Sequence, residues 1–204
     1  MKKILAVIMS LIIVLAVGTS CHINKKAEDE YKAEVKELLD SIPVEATGYE
    51  LALRTKADGE WSDDEIIIRY GGADSCSKQI NTHTYDVKIY DGIYFDGFND
   101  IWVMDEYYME ISVDGGEFKR TYFNYKEEYK HFKPVLLVVC FDEKIFIIRS
   151  GTVNWRRGYR ECFPPTLFLY DYESNELKYL GYSKDWFDYR LWEIGYSDVK
   201  IVKN

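Results

Sequence analysis

The sequence predicts a mainly β protein, an antiparallel meander, sandwich or half-barrel with one N-terminal helix. Beyond Pro43, runs rich in β-branched and aromatic residues recur roughly every 10 to 15 residues, with turn residues between them. Little helical sequence separates these runs. The strands are therefore expected to form antiparallel pairs rather than parallel βαβ units.

The predicted helix spans 27–42. Its apolar residues recur at spacings of four, three, one and three, which places them on one helical face: Tyr31, Val35, Leu38, Leu39 and Ile42. Acidic residues gather in its first turn, where the helix dipole favours negative charge. Pro43 ends the helix because proline has no amide hydrogen to donate.

Strands are predicted where β-branched or alternating runs lie between turn signals: 49–55, 65–70, 85–89, 101–113, 117–124, 135–141, 145–149, 166–172, 176–182 and 199–202. Glycine, aspartate and asparagine mark the turns between them. These turns are predicted at 91–92, 114–116, 142–144 and 173–175, and the segment 71–81 is predicted to be a polar turn. Residues 185–192 are expected to form a short helix or an aromatic-rich loop.

Length and charge limit the function classes. The 204 residues are enough for one domain. Acidic residues outnumber basic residues 35 to 26, which gives a net charge of −9. This balance argues against nucleic acid as a partner, because phosphate binding requires a cationic surface.

The N-terminus carries a secretory signal pattern. Two lysines precede an apolar core from Ile4 to Val17, and small residues follow it. This core has 14 residues, fewer than the ~20 that a membrane-spanning helix needs.

Residues 17–21, Val-Gly-Thr-Ser-Cys, resemble the lipobox of bacterial lipoproteins, with Gly18 where the commonest lipoboxes have leucine. In that family the cysteine thiol carries a diacylglyceryl group, and cleavage makes this cysteine the first residue. The resemblance covers about the first 21 residues and implies lipid attachment at Cys21, on the extracytoplasmic face of the cell membrane. An ordinary secretory signal and an uncleaved signal anchor are the alternatives, and both also place the domain outside the cytoplasm.

This resemblance divides the chain into a signal peptide at 1–20, a short tether at 21–26 and a β-rich domain at 27–204. The remaining 184 residues hold 24 basic against 35 acidic residues, a net charge of −11. Lys25 and Lys26 would rest against anionic headgroups, and the acidic domain would be held off that surface.

One group of residues has the types that a cysteine hydrolase uses. Cys76, between two serines, lies near His83 and Asp86 in the sequence. Such sets are assembled across a fold rather than along the chain. We therefore expect a polar turn here and no catalytic residue, with an envelope hydrolase using His83 or His131 as the alternative.

The other three cysteines fall into two kinds of sequence, an apolar strand and loop-like segments. Cys140 lies in an apolar strand and is expected to be buried as a small hydrophobic residue. Cys76 and Cys162 lie in loop-like sequence, and an exported protein could join them by a disulfide. The sequence leaves open whether they pair.

Oxygen-rich side chains cluster between residues 91 and 105: Asp91, Asp96, Asn99, Asp100 and Asp105. Calcium requires six to eight oxygen ligands, and the EF-hand spacing is absent. We interpret these side chains as turn and surface residues. No metal and no cofactor is predicted.

A local reversal of charge gives the predicted ligand-binding residues, Trp155, Arg156, Arg157 and Arg160, with Arg149 nearby. Arginine recognises carboxylates and phosphates through paired hydrogen bonds. This cluster could dock an anionic envelope ligand or an acidic partner surface. Pairing with the protein's own surplus carboxylates is the alternative.

Aromatic residues form two groups in the sequence: Trp102, Tyr107, Tyr108, Tyr122, Phe123 and Tyr125, then Trp186, Phe187, Tyr189 and Trp192. Exposed aromatic rings serve as carbohydrate platforms, and tyrosine and tryptophan are enriched at protein interfaces. The alternative is burial in the core and the preference of aromatic residues for strands.

The sequence thus predicts a membrane-anchored extracytoplasmic lipoprotein that binds a ligand without catalysis. Its expected partners are membrane lipid through Cys21 and either an envelope protein or an anionic or carbohydrate ligand. A structural or inhibitory accessory protein of the cell envelope is a further alternative.

Overall fold

Antiparallel strands dominate the protein, as the sequence predicts. The computed structural model describes residues 25–69, 75–95, 102–122, 135–150, 154–156, 159–161, 163–189 and 194–204. Within these ranges only the backbone is described at 91–95, 102–107, 135, 154–156 and 159–161.

Helix α1 spans 25–40. The strands in the described ranges are β1 Tyr49–Leu53, β2 Ile66–Arg69, β3 Ser75–Ile80, β4 His83–Phe95, β5 Trp102–Val113, β6 Lys119–Tyr122, β7 Val135–Phe141, β8 Lys144–Ser150, β9 Asn154–Arg156, β10 Tyr159–Glu161, β11 Thr166–Asp171, β12 Glu176–Tyr182 and β13 Val199–Lys203. Two short 3-10 helices span Lys184–Asp188 and Tyr196–Asp198. No helix in these ranges has the length and apolar character needed to cross a membrane.

The strands build two stacked sheets, a ribbon and a hairpin. The five-stranded sheet, here the central sheet, has the order β12-β11-β8-β7-β2. The four-stranded sheet, here the outer sheet, has the order β3-β4-β5-β6. Strands β1 and β13 pair as an antiparallel ribbon, and β9 and β10 form a short antiparallel hairpin.

The central sheet is buried on both faces. On β7, Leu136 and Val138 face the core shared with the outer sheet, whereas Leu137 and Val139 face the core shared with α1 and the ribbon. This two-sided burial explains why 135–141 is an unbroken apolar run rather than an alternating one. The protein is therefore a β-sandwich with a third layer formed by α1 and the ribbon.

Helix α1 packs on the central sheet through Tyr31, Val35 and Leu39, all buried. It ends at residue 40, two residues before the predicted end. The backbone at Ser41 closes the last turn by donating to the carbonyls of residues 37 and 38, both at 3.1 Å. The residue before a proline avoids the helical conformation, so Pro43 also keeps Ile42 out of the helix.

The predicted turn at Asp91-Gly92 is wrong, because β4 runs straight through these residues. The pairing of β4 with β5 shifts register between Asp91 and Ile93, which is a β-bulge. A bulge inserts one extra residue into a continuing strand. The long partner strand β5 offers pairing on both sides of this point, so the chain continues instead of reversing.

The predicted polar turn over 71–81 is wrong for its second half, where Ser75–Ile80 forms β3. This strand lies at the sheet edge, and its exposed positions hold Ser75, Ser77 and Gln79. An edge strand tolerates polar side chains on its outward face. The reversal itself is confined to two residues after β3, where Asn81 has a φ of 53°.

Side-chain contacts join the outer sheet to the central sheet at both edges. At the β3 edge, the Cys76 thiol donates to the carbonyl of Ile67 at 2.9 Å. At the β6 edge, the Lys119 ammonium donates to the carbonyls of Tyr172 and Glu173 at 2.6 and 2.9 Å. The inner face of the outer sheet is thereby enclosed, whereas Lys88, Tyr90 and Tyr122 on its other face are exposed.

Candidate functional site: a tyrosine face on the outer sheet

Side chains on the outer sheet alternate between core and solvent. On β4, Val87 and Ile89 are buried against the central sheet, while Lys88 and Tyr90 are exposed on the opposite face. This period of two follows from strand geometry. The outward set from β4, β5 and β6 forms a continuous surface.

Three tyrosines form a row across this surface. Tyr90 lies opposite Tyr108, and Tyr108 lies opposite Tyr122. The rings of Tyr90 and Tyr108 are stacked, with centroids 4.6 Å apart, and those of Tyr108 and Tyr122 are tilted, 5.6 Å apart. Tyr90 is 39% exposed and Tyr122 is 47% exposed. The two end rings therefore keep accessible surface, with Tyr108 between them.

An arginine and a glutamate stand beside the tyrosine row. The guanidinium carbon of Arg120 lies 4.1 Å from the ring centroid of Tyr108. Arg120 also donates from Nε and Nη2 to Oε1 of Glu110, at 3.1 and 2.7 Å. Hydrogen bonds to Tyr122 and to Glu110 raise the pKa of Arg120 above its usual range, so this group stays charged at every ordinary pH.

A second cation and ring extend the surface. Phe118 is 40% exposed, and the Lys88 ammonium lies 4.2 Å from its ring centroid. Among the side chains that the structure describes on this face, the two cations are balanced by two carboxylates, Asp86 and Glu110. We call this surface the tyrosine face and define it by Tyr90, Tyr108, Tyr122, Phe118, Asp86, Lys88, Glu110 and Arg120.

The aromatic groups predicted from the sequence contain only some of the residues of this site. Tyr108 and Tyr122 belong to the first predicted aromatic group, and the structure brings them together. Tyr90 was missed because it lies 18 residues before Tyr108. The alternation of β4 was the available signal, since it places Tyr90 on the polar side of the strand, away from Ile89.

The other predicted aromatics have different positions. In the second group, Trp186 is fully buried, Phe187 is half-buried and Tyr189 is exposed. The backbones of Trp102 and Tyr107 lie in β5. Phe123, Tyr125 and Trp192 lie outside the described residues. Burial thus accounts for Trp186, as the alternative interpretation expects.

The predicted ligand-binding arginines lie on and around the β9–β10 hairpin. In the backbone register of this hairpin, Trp155 lies opposite Arg160 and Arg156 lies opposite Tyr159. Arg157 lies outside the described residues. Arg149 is separate from this hairpin, since it is buried in β8.

The hydrolase residues are separated in the fold. Cys76 on β3 lies opposite Val87 on β4. His83 lies four residues from Val87 along β4, so about 13 Å of strand separates His83 from the position opposite Cys76. The imidazole Nδ1 of His83 instead lies 2.7 Å from Oδ2 of Asp114. Among the described residues, Cys76 and His83 therefore do not form a nucleophile and base pair. His131 lies outside the described residues.

The two described cysteines, Cys76 and Cys140, are at least partly buried in the sandwich. Cys140 is buried, as predicted, and its Sγ lies 3.5 Å from the Tyr85 hydroxyl. Burial raises the pKa of the Cys76 thiol, which favours the protonated form. Cys76 and Cys140 are free thiols. Cys162 and Cys21 lie outside the described residues.

Metal-ligating side chains are dispersed in the part of the chain that the structure describes. No group of three histidine, cysteine, aspartate or glutamate side chains is placed there to hold a metal ion. Asp91 lies in β4 and Asp105 in β5. Asp96, Asn99 and Asp100 lie outside the described residues.

Comparisons of the chain with protein-family models, with curated proteins and with solved structures find no match.

Proposed function

We propose that this protein is a lipid-anchored extracytoplasmic lipoprotein whose β-sandwich binds a ligand of the cell envelope through the tyrosine face, without catalysis. The signal pattern and lipobox-like segment ending at Cys21 support the anchor. The concentration of exposed aromatic rings on the tyrosine face carries the binding role.

Exposed rings are unevenly distributed over the described residues. The large hydrophobic side chains exposed there are Val44, Tyr90, Phe118, Tyr122 and Tyr189. Three of these five belong to the tyrosine face. Clustered exposed apolar groups on a soluble domain mark interaction sites, whereas single ones need no explanation. The clustering therefore favours a binding surface.

The order of the layers suits a tethered binding domain. The predicted tether, 21–26, shares its last two residues with α1, which packs on the face of the central sheet opposite to the outer sheet. The tyrosine face therefore belongs to the layer farthest from α1, with the central sheet between them. A ligand would reach this face without passing the anchored layer.

The anchor is tested by metabolic labelling with a fatty-acid analogue. The wild-type protein should be labelled and the Cys21→Ala variant should not. Cys76→Ala is the matched control and should stay labelled. A labelled Cys21→Ala variant would rule out lipid attachment at this residue.

The binding role is tested by retention of the purified domain on delipidated envelope material. Tyr90→Ala and Tyr122→Ala should each reduce retention. Tyr189→Ala is the matched control, because Tyr189 is 44% exposed but lies beside α1, where its carbonyl accepts from Lys32. Equal retention of all three variants would contradict a role for the tyrosine face.

A further inference from the structure

We propose that the ligand of the tyrosine face is a neutral, extended glycan. Sugar rings would lie against Tyr90 and Tyr122, and their hydroxyls would hydrogen-bond to the Arg120–Glu110 pair. This inference rests on the proposed function and names the ligand class of the same surface.

The ring positions favour a chain of sugars over a single sugar. Tyr108 is flanked by the Tyr90 ring at 4.6 Å and by the Arg120 guanidinium at 4.1 Å, so its own faces are largely used. Tyr90 and Tyr122 retain exposed ring surface. They lie two strands apart, about 10 Å. Two ring contacts at this separation suit alternate units of an extended oligosaccharide, because one sugar unit spans only about half of it.

The balance of charge on this face favours a neutral ligand. The protein as a whole is strongly acidic, with a net charge of −9. On the tyrosine face, however, Lys88 and Arg120 balance Asp86 and Glu110. A balanced surface gives no long-range attraction to polyanions or polycations. It does offer donors and acceptors side by side, and a sugar hydroxyl can both donate and accept.

The same charges make this face unlike the core of a protein–protein interface. Tyrosine and arginine are enriched in such cores, but lysine, aspartate and glutamate are depleted there. Here Lys88 lies directly on the Phe118 ring, and Glu110 is bonded to the arginine that covers Tyr108, so both depleted types lie among the rings rather than around their rim. Alternating rings and polar groups match the apolar faces and hydroxyl edges of a sugar chain.

The binding groups are held before any ligand arrives. Stacking fixes Tyr90, and Arg120 is held by two hydrogen bonds to Glu110 as well as by Tyr108. Groups already ordered in the free protein lose little conformational entropy on binding. A weak ring–sugar contact can then contribute to measurable affinity.

Direct binding is measured by calorimetry with four probes: the β-1,4-linked tetramers of N-acetylglucosamine and of glucose, and the two corresponding monosaccharides. At least one tetramer should bind, and more tightly than its monosaccharide. Loss of a central aromatic anchor should weaken this binding about tenfold or more, so Tyr90→Ala and Tyr122→Ala should each do so. Tyr90→Phe and Tyr122→Phe keep the ring and should retain most of the affinity, as should Tyr189→Ala.

Salt separates a neutral ligand from a charged one. The affinity should be nearly the same at about 0.05 M and 0.5 M salt, since screening affects only charge-driven binding. A steep loss of affinity with salt would overturn the neutral assignment. Circular dichroism of each alanine variant should match the wild type. Where an alanine variant is unfolded, Tyr90→Leu or Tyr122→Leu carries the test, because leucine removes the ring and keeps apolar bulk, and it should weaken binding as alanine would.

Treated envelope material separates this inference from the proposed function. Periodate cleaves vicinal diols, which internal β-1,4-linked glucose units have and internal β-1,4-linked N-acetylglucosamine units lack, whereas protease destroys proteins. Retention that survives both treatments supports a glycan only if the N-acetylglucosamine tetramer competes for it, and otherwise overturns the glycan. Retention that is lost after periodate, survives protease and needs Tyr90 and Tyr122 supports a glycan ligand, including one that neither tetramer represents. Retention that survives periodate and is lost after protease overturns the glycan while leaving a binding domain. Retention that is absent, or unchanged in both alanine variants, overturns both proposals.

Discussion

The thiol of Cys76 donates a hydrogen bond to the backbone carbonyl of Ile67, with 2.9 Å between Sγ and the oxygen. This contact connects β3 at the edge of the outer sheet to β2 at the edge of the central sheet. The thiol therefore satisfies a carbonyl at the seam of the sandwich.

We expect the Cys76 thiol to react slowly in the folded protein. Burial raises the pKa of this thiol, and the thiolate is the nucleophile, so little of the reactive form exists at neutral pH. Iodoacetamide labelling, followed by peptide mass spectrometry, should show much slower alkylation of Cys76 in the native protein than in urea. Equal rates in both conditions would mean that this seam is open in solution.

The contribution of Asp114 should depend on pH. A hydrogen bond with His83, and a second from the Thr84 amide, lower the pKa of Asp114 below its ordinary 3.8. A lowered carboxyl pKa stabilises the fold above the unfolded pKa, and this stabilisation is lost as the pH falls through the folded pKa. Thermal midpoints of wild type and Asp114→Asn should therefore differ at pH 6 and converge towards pH 3.

Asp114→Asn is a suitable change because Asp114 has a φ of 53°, a conformation that asparagine also tolerates. Its Oδ1 can still accept from the Thr84 amide, as it does at 2.8 Å in the wild type. A difference between the two proteins that grows as the pH falls would contradict the assignment.

Leu39 should contribute strongly to stability because it is completely buried between α1 and the central sheet. Leu39→Ala removes this packing and leaves a cavity, which typically costs about 2 to 5 kcal/mol. Glu37→Ala, an exposed position on the same helix, should change the free energy of unfolding by less than about 0.5 kcal/mol. Urea unfolding measures both, and similar small effects would show that α1 is not packed on the sheet.

Tyr90 and Tyr108 should be energetically coupled through their stacked rings. A double-mutant cycle with alanine should give a coupling of about 0.5 to 1.5 kcal/mol in the free energy of unfolding. The pair Tyr90 and Tyr189 is the control, since these residues lie in different layers and should show additive effects. Additivity in the first pair would remove the evidence that the tyrosine row is preorganised.

Local chemistry explains the parts of the fold that were predicted well. The hairpin at Asp142-Glu143 forms as predicted, and both residues adopt positive φ, at 51° and 59°. The spacing of apolar residues predicted which face of α1 is buried, and the helix begins and ends two residues earlier than predicted. These features depend on interactions within a few residues of the chain.

The failed predictions concern segments whose local signals were overruled by a partner strand. Asp91-Gly92 carries a hairpin signal, but pairing with β5 on both sides makes it a bulge. Ser75–Ile80 is polar enough to resemble a loop, yet it pairs along its whole length with β4. Propensity is weaker than a continuous ladder of hydrogen bonds.

The sequence by itself determined the strand-rich class, the N-terminal helix, the acidic charge and the lipobox-like segment, because each depends on composition or on nearby residues. Only the tertiary structure decided that β1 pairs with β13 from the far end of the chain, and that Tyr90, Tyr108 and Tyr122 form one row. Such pairings depend on burying both faces of the central sheet at once. That constraint acts between residues distant in the chain, so no local pattern encodes it.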